Sequence, residues 1–372
     1  MALNVLIAPD KFKGTLPAPA VAKAIARGWH NVRPDDQLEL LPMSDGGEGF
    51  GEVMGRLLGA EAQTAQTMDA AHRPVTAQWW WKQKTGTAIV ESATTIGLAL
   101  LPAGKFHPFE LDTFGLGTVL HAAANAGAKR CLVGIGGSAT NDGGFGVARA
   151  LGWRFLNQRG EEIQRWIDLH GLDSLKSSKR PAFFDELAVA VDVRNPLLGP
   201  SGCARVFGPQ KGLRAGDFKL AEQCLARLAK VVEKQFGFKY AGEPGAGAAG
   251  GLGFGLFCFA GAKLESGFEV FSRHAELARR VKAAQLILTG EGRVDEQTLM
   301  GKGVGALAQM CRDSGVPCIV FAGEISAPAR ALELFRGTYA LVPEWTSREN
   351  SLATPSAWLE MAAEAAAKNL GA

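Results

Sequence analysis

The feature that most constrains this chain is a repeated pairing of a short apolar run with a polar or glycine-rich turn. Residues 5–9 lead into Asp10, residues 38–43 into Ser44 and Asp45, and residues 131–135 into Gly136 and Gly137. Residues 286–288 lead into Thr289 and Gly290, and residues 318–322 into Gly323 and Glu324. Apolar runs of this length read as strands buried on both faces. Helical patterns at 19–29, 48–58 and 302–313 lie between several of them. Alternation of strand and helix predicts parallel α/β sheets, in which ligands bind beyond the carboxyl ends of the strands. Asp10, Asp45, Glu291 and Glu324 all fall at such ends.

Residues 62–100 break the rhythm. Segments 76–83, with three successive tryptophans, and 87–91 predict a β-meander around a Lys84-Thr85-Gly86 turn, the tryptophans packing between strands. The meander opens a second domain inserted into the first, which resumes near Ala284. The expected division is therefore 1–64 with 285–372 for one α/β domain and 65–284 for the inserted one. Length agrees, since 372 residues at roughly 150 per domain suggest two. A helix over 219–236 carries Leu220, Cys224, Leu228 and Val231 on one face and stops at Gly237. The C-terminal run 358–369 reads as an alanine-rich surface helix.

Composition narrows the function. Hydrophobic residues make up 47% and charged residues 21%, enough for a sizeable core. A net charge of +3, scattered along the chain, does not suit nucleic acid, and the basic stretch 176–180 reads as a solvated loop. Six cysteines without Cys-x-x-Cys or nearby histidines suggest a reduced, cytoplasmic protein without structural zinc. The N-terminus has no signal-peptide pattern. The uncharged stretch 245–262 holds many glycines and is short for a membrane span, so it reads as a loop and a tightly packed helix.

The 47 glycines cluster with ionisable and hydroxyl groups. Glycine lets backbone N–H groups approach an anion, lysine and arginine neutralise charge, and aspartate can hold Mg²⁺ or take a proton: the parts of phosphoryl transfer. In Asp10-Lys11-Phe12-Lys13-Gly14-Thr15, Lys11 and Lys13 can aim at phosphates at a helix N-terminus. In Ser44-Asp45-Gly46-Gly47-Glu48-Gly49, the glycines suggest close ligand approach to Asp45, while Glu48 reads as complementing the dipole of the next helix. Segment 134–144 has five glycines interleaved with Ser138, Thr140, Asn141 and Asp142, and together with Gly136 and Gly137 it can wrap a nucleotide's phosphates. Asp192, Arg194 and Asn195 combine an acid, a cation able to clamp a carboxylate, and an amide. Glu291 and Asp295 suit Mg²⁺, which needs only one or two carboxylates.

Two motif matches are weaker. Gly245-Ala-Gly247-Ala-Ala-Gly250 fits the dinucleotide fingerprint literally, but no buried strand precedes it. Gly301-Lys302 resembles the end of a P-loop, but Glu296 stands where the first glycine belongs.

The segments Ala8-Pro-Asp-Lys-Phe-Lys-Gly-Thr15, Met43-Ser-Asp-Gly-Gly-Glu-Gly49, Gly134-Ile-Gly-Gly-Ser-Ala-Thr-Asn-Asp-Gly-Gly144, Asp192-Val-Arg-Asn-Pro-Leu-Leu-Gly-Pro200, Phe207-Gly-Pro-Gln-Lys-Gly212 and Leu288-Thr-Gly-Glu-Gly-Arg-Val-Asp295 together resemble the bacterial glycerate kinase family, type 1. The resemblance implies ATP- and Mg²⁺-dependent phosphorylation of D-glycerate, mostly at the 2-hydroxyl. It also implies two α/β domains, one flavodoxin-like and formed by both chain ends, with the active site in the cleft between them.

On local chemistry, Lys11 or Lys13 neutralises the transferring group, Arg194 with Asn195 and Ser44 holds the substrate, and Asp192 or Asp45 is the base. The 134–144 loop holds ATP, and Asp295 and Glu291 hold Mg²⁺. The expected partners are D-glycerate and ATP, with no nucleic acid or membrane; a homodimer is one assembly this leaves open. A kinase of another small hydroxy acid, a glycerate 3-kinase, and a nicotinamide-dependent oxidoreductase are the rival readings.

Overall fold

The computed structural model describes residues 2–177, 183–299, 303–326 and 332–370. Its contacts divide the chain into two units, Met1–Asp45 with Phe268–Ala372, and Gly46–Gly267. In chain order the strands are β1 (Asn4–Ile7), β2 (Gln37–Leu40), β3 (Glu61–Met68), β4 (Pro74–Lys82), β5 (Thr87–Glu91), β6 (Arg130–Gly134) and β7 (Trp153–Asn157). They continue with β8 (Leu172–Ser177), β9 (Glu186–Val191), β10 (Lys263–Ser266), β11 (Leu286–Val294), β12 (Cys318–Ile325) and β13 (Gly337–Val342).

In the unit made of both chain ends, the described strands form a parallel sheet in the order β13-β12-β11-β1-β2. Counted within this unit alone, that is the 2-1-3-4-5 flavodoxin order, whose ligand site lies where the order reverses. The reversal falls between β1 and β11. The core joins Val5, Ile7, Leu288 and Phe321 to Val21, Ile25 and Trp29 of the helix Ala18–Val32. Two expectations change. The run at 38–43 is an edge strand with Leu40 exposed, not a strand buried on both faces. The C-terminal helix Pro355–Leu370 buries Leu359, Ala362, Ala363, Ala366 and Ala367 instead of lying on the surface. Its alanines admit close backbone approach: a β-carbon on Gly28 would meet the Glu360 carbonyl oxygen at 2.0 Å.

In the other unit the order is β10-β9-β6-β5-β4-β3, parallel from β10 to β5 and antiparallel through the β5-β4-β3 meander. Trp79 and Trp80 are buried. The Trp80 ring fits against Gly51 and Gly55 of the helix Phe50–Leu58, where β-carbons would come within 1.9 and 2.5 Å of it. That packing puts residues 46–58 with the second sheet, so the boundaries fall earlier in the chain than the expected 64 and 284. Among the described residues no helix is long and apolar enough to cross a membrane. Residues 178–180 of the basic stretch and the Gly301-Lys302 match lie outside the described residues.

Candidate active site

Past the carboxyl end of β1, alongside the middle of β11, the backbone ties itself together. Asp10 N–H donates to the Gly290 carbonyl at 2.8 Å, Met43 N–H to the Pro9 carbonyl at 2.8 Å, and the Thr289 hydroxyl to the Ala8 carbonyl at 2.7 Å. These bonds gather Asp10, Lys11, Asp45 and Glu291. Lys11 Nζ donates to Asp45 Oδ1 at 2.9 Å and stands 3.8 Å from Asp10 Oδ1. Lys13, one residue beyond the buried Phe12, faces solvent. Of the two candidate lysines the fold therefore brings only Lys11 to the carboxylates.

Glu291 lies inside β11, which runs on through Val294 instead of stopping at Leu288. Thr298 Oγ1 donates to Glu291 Oε1 at 2.8 Å and accepts the Asp295 N–H at 3.2 Å. Burial raises the Glu291 carboxyl to about 8, and the charges of Asp10, Asp295 and Asp45 push the same way against the Thr298 bond. Crowded oxygens short of positive charge are a donor set that suits a hard divalent cation. Among the described residues no group of three His, Cys, Asp or Glu side chains could hold a metal ion by itself.

In the second unit, loops from β6, β9 and the segment before β10 meet at one end of the sheet. Ser138, Thr140, Asn141 and Asp142 are all buried. Asp142 is bound up with backbone: Oδ2 accepts from Thr113 N–H at 2.9 Å, Thr113 Oγ1 at 2.8 Å and Gly146 N–H at 2.9 Å, and Oδ1 from Gly144 N–H at 3.2 Å. It fastens the starts of the helices Phe114–Asn125 and Phe145–Ala150. Burial, then Asp112, raises its carboxyl to about 6. Ser138 and Thr140 hydroxyls bond each other at 2.9 Å. Asn141 differs, because neither polar atom of its fully buried amide has a partner among the described residues.

Segment 245–255 packs backbone to backbone on this loop. Gly247 N–H donates to the Asn195 carbonyl at 2.9 Å, and Gly143 N–H to the Gly250 carbonyl at 3.0 Å. Ala249, Gly250 and Gly251 are all left-handed, with φ of 54°, 70° and 88°. This is not the strand–turn–helix that the dinucleotide fingerprint requires; the glycines serve close approach. Gly136 N–H reaches the Gly46 carbonyl at 3.1 Å. A β-carbon on Gly137, at φ 77°, would crowd Glu48 at 3.0 Å, so substitution there strains the fold as well as any ligand.

Asp192 and Arg194 are exposed just after β9. Arg194 has no carboxylate partner among the described residues, while Asn195 Nδ2 donates to the Ser201 carbonyl at 2.8 Å. Ser44 is buried beside Asp45. Sequence reasoning missed three side chains. Glu91, and not Glu48, meets the start of the helix Phe50–Leu58, accepting from Gly49 and Gly51 N–H at 2.9 Å each. Thr298 links Glu291 to Asp295. Lys211, visible only as part of Phe207-Gly-Pro-Gln-Lys-Gly212, reaches the Thr140 carbonyl at 2.7 Å.

A profile of the glycerate kinase family matches residues 5–371. The chain belongs to the glycerate kinase family. Its members are kinases, and the relatives agree over nearly full length. The glycerate kinase of Halalkalibacterium halodurans is 36% identical over 97% of this chain and 96% of its own. The glycerate 2-kinase of Escherichia coli K12 is 37% identical over 87% and 86%. A crystal structure from Salmonella typhimurium LT2, described as a glycerate kinase 2, superposes with a TM-score of 0.83 at 32% identity, covering 100% of this chain and 99% of that one.

Two expected outcomes for this family member follow from the site alone. Between pH 4.5 and about 8 the folded state keeps a proton on Glu291 that the unfolded chain has released. The unfolded state then binds fewer protons, so this group's contribution to stability is present at low pH and lost as pH rises through that window. Glu291→Gln removes the dependence. Its melting temperature should exceed the parent's by a few degrees at pH 8 and match it at pH 5, both without divalent cation. Equal melting curves at both pH values would remove the strain assigned to Glu291. Second, replacing an orphaned buried amide by an apolar group of similar shape is close to neutral for folding. Asn141→Leu should keep or raise the melting temperature while weakening ATP binding about tenfold, the loss of one hydrogen bond to a charged group. A marked fall in stability with ATP binding intact would mean that Asn141 serves the fold.

Proposed function

We propose that this kinase transfers the γ-phosphoryl group of ATP to the 2-hydroxyl of D-glycerate, giving 2-phosphoglycerate and ADP. The observation that carries the proposal is the cluster of Lys11, Asp45, Asp10 and Glu291 past the end of β1 and along the carboxyl-terminal half of β11, at the reversal where a parallel sheet of this order takes its ligand. The 2-position follows the name of the Escherichia coli relative.

Arg194, exposed and without a carboxylate partner among the described residues, grips the carboxylate of glycerate, aided by Asn195 and Ser44. Asp192, two residues away, takes the proton of the attacking hydroxyl as the new O–P bond forms and the bond from the γ-phosphorus to the β–γ bridging oxygen breaks. Lys11 neutralises the charge on the transferring group; Lys13, out in solvent, would at most guide phosphates inward. Gly136, Gly137, Ser138, Thr140 and Asn141 form the nucleotide loop, with Asp142 as its internal fastening. Glu291 and Asp295 would hold Mg²⁺, with water and phosphate completing its shell. That ion, when bound, neutralises the β- and γ-oxygens. Catalysis of this kind rests on positioning and electrostatics, which accounts for charged groups spread over several loops.

The test is release of ADP by the purified chain. ADP should form only with D-glycerate, ATP and Mg²⁺ together, and EDTA should stop it. D-glycerate-dependent reduction of NAD without ADP formation would point to the oxidoreductase reading; turnover of other hydroxy acids in preference to glycerate would point to a different kinase. A cytoplasmic setting suits six buried free thiols. Sedimentation would tell a monomer from a homodimer.

A further inference from the structure

Lys211 ends the short turn Pro209–Lys211 and is 93% shielded from solvent. Its ammonium has three donors. Among the described residues it uses one, to the Thr140 carbonyl at 2.7 Å, and no carboxylate there stands within ion-pair distance. A lysine taken out of water with one neutral partner is costly by itself. The carbonyl it holds belongs to the peptide that leads into Asn141, whose buried amide lacks partners among the described residues at both polar ends. A trans peptide points its N–H opposite to its carbonyl. Fixing the Thr140 carbonyl on Lys211 therefore turns the Asn141 N–H the other way, and that N–H donates to no protein acceptor among the described residues. Unused cationic and amide hydrogen-bonding capacity thus meets at one peptide of a glycine-rich loop.

We propose that Lys211 is a positioning residue for the nucleotide's phosphate groups: it orients the Thr140–Asn141 peptide and places a buried positive charge beneath the 134–144 loop. This rests on that loop being the nucleotide site. The ammonium draws on the same anionic groups that the loop's amides take, so the cost of burying it is offset when they bind. Burial lowers the proton affinity of Lys211 to about 8, while Cys203 and Asp142 oppose the fall. The groups facing it are Cys203, raised to about 12 with Glu222 nearby, and Asp142, raised to about 6 with Asp112 nearby. Neither changes charge near pH 8.

The experiment compares the full-length parent, Lys211→Met and Lys211→Arg. ATP–Mg²⁺ binding is measured by calorimetry, and KM for ATP and for D-glycerate by steady-state kinetics at pH 7 and 9. Lys211→Met should bind ATP–Mg²⁺ about tenfold more weakly with KM for D-glycerate changed less than twofold, and Lys211→Arg should recover most of the loss. From pH 7 to pH 9 the parent ammonium loses its proton while Lys211→Arg keeps its charge, so the ratio of KM for ATP in the parent to that in Lys211→Arg should rise; Glu291, which titrates in the same range, acts on both alike. That comparison holds even if the methionine variant fails to fold. A parent that binds no ATP sinks the nucleotide reading itself. A parent that binds ATP, with Lys211→Met its equal or with the same pH dependence in Lys211→Arg, sinks the role of Lys211 alone.

Discussion

Asp192→Asn is expected to lose turnover by roughly 10²–10⁴-fold, the usual effect of removing a general base, with ATP affinity kept. The carboxylate follows the end of β9, two residues before Arg194. A three-carbon acid held by Arg194 therefore presents its hydroxyl within reach of the same loop. Asparagine keeps the size and a hydrogen-bonding oxygen but cannot take a proton at neutral pH. Asp45→Asn should behave differently. Asp45 holds Lys11 at 2.9 Å and adds to the negative field on Glu291, so its loss should raise the Mg²⁺ or ATP concentration needed for half-maximal rate. Steady-state kinetics on both variants decide the matter. Near-parental turnover in Asp192→Asn, with collapse in Asp45→Asn, would exchange the two roles.

Gly250→Ala should lower the melting temperature by roughly 10 °C, or prevent accumulation of folded protein. The added methyl would stand 1.9 Å from the Thr140 carbonyl oxygen and 2.7 Å from the Asn141 α-carbon, at a residue with φ 70°. Left-handed backbone costs an alanine about 1–2 kcal/mol and overpacking about 1–3 kcal/mol. A unit of this size loses roughly 2–4 °C per kcal/mol. Gly242→Ala is the control, because nothing lies within 4 Å of its added carbon. Thermal melts of the two variants differ greatly if segment 245–251 is a packing surface for the 134–144 loop. Similar melts, with nicotinamide binding lost only in Gly250→Ala, would restore the dinucleotide fingerprint.

Why some of this was legible in the sequence and some not has a physical basis. Buried parallel strands leave apolar runs, so β1, β6, β11 and β12 announce themselves, and so does Asp10 past the end of β1; Glu291 and Glu324, read as strand tips, lie inside β11 and β12 because the pairing runs on past the apolar run. The meander was readable from three tryptophans and a Lys-Thr-Gly turn. An edge strand carries the same short apolar run as a buried one, so the exposure of Leu40 was hidden. Alanine reads alike on a surface and in a tight helix contact, which hid the packing of the C-terminal helix on Gly28. Side chains that act from a distance in the chain were the hardest. Glu91 lies 42 residues from Gly49, and Lys211 lies 71 residues from Thr140. No periodicity links such pairs; only the folded backbone does. Asp142 was found for its place in a glycine-rich loop, yet its bonds to Thr113, Gly144 and Gly146 make it a fastening of that loop.

Transfer of a phosphoryl group to the 2-hydroxyl of D-glycerate leaves a product whose coupling identifies the carbon that carries it. The most direct measurement is ³¹P and ¹H NMR of the product formed by the purified chain from ATP, Mg²⁺ and D-glycerate. 2-Phosphoglycerate, with phosphorus coupled to the single proton on carbon 2, should accumulate in step with ADP. A product whose phosphorus couples to the two protons on carbon 3, or ADP appearing without any phosphorylated glycerate, would contradict transfer to the 2-hydroxyl.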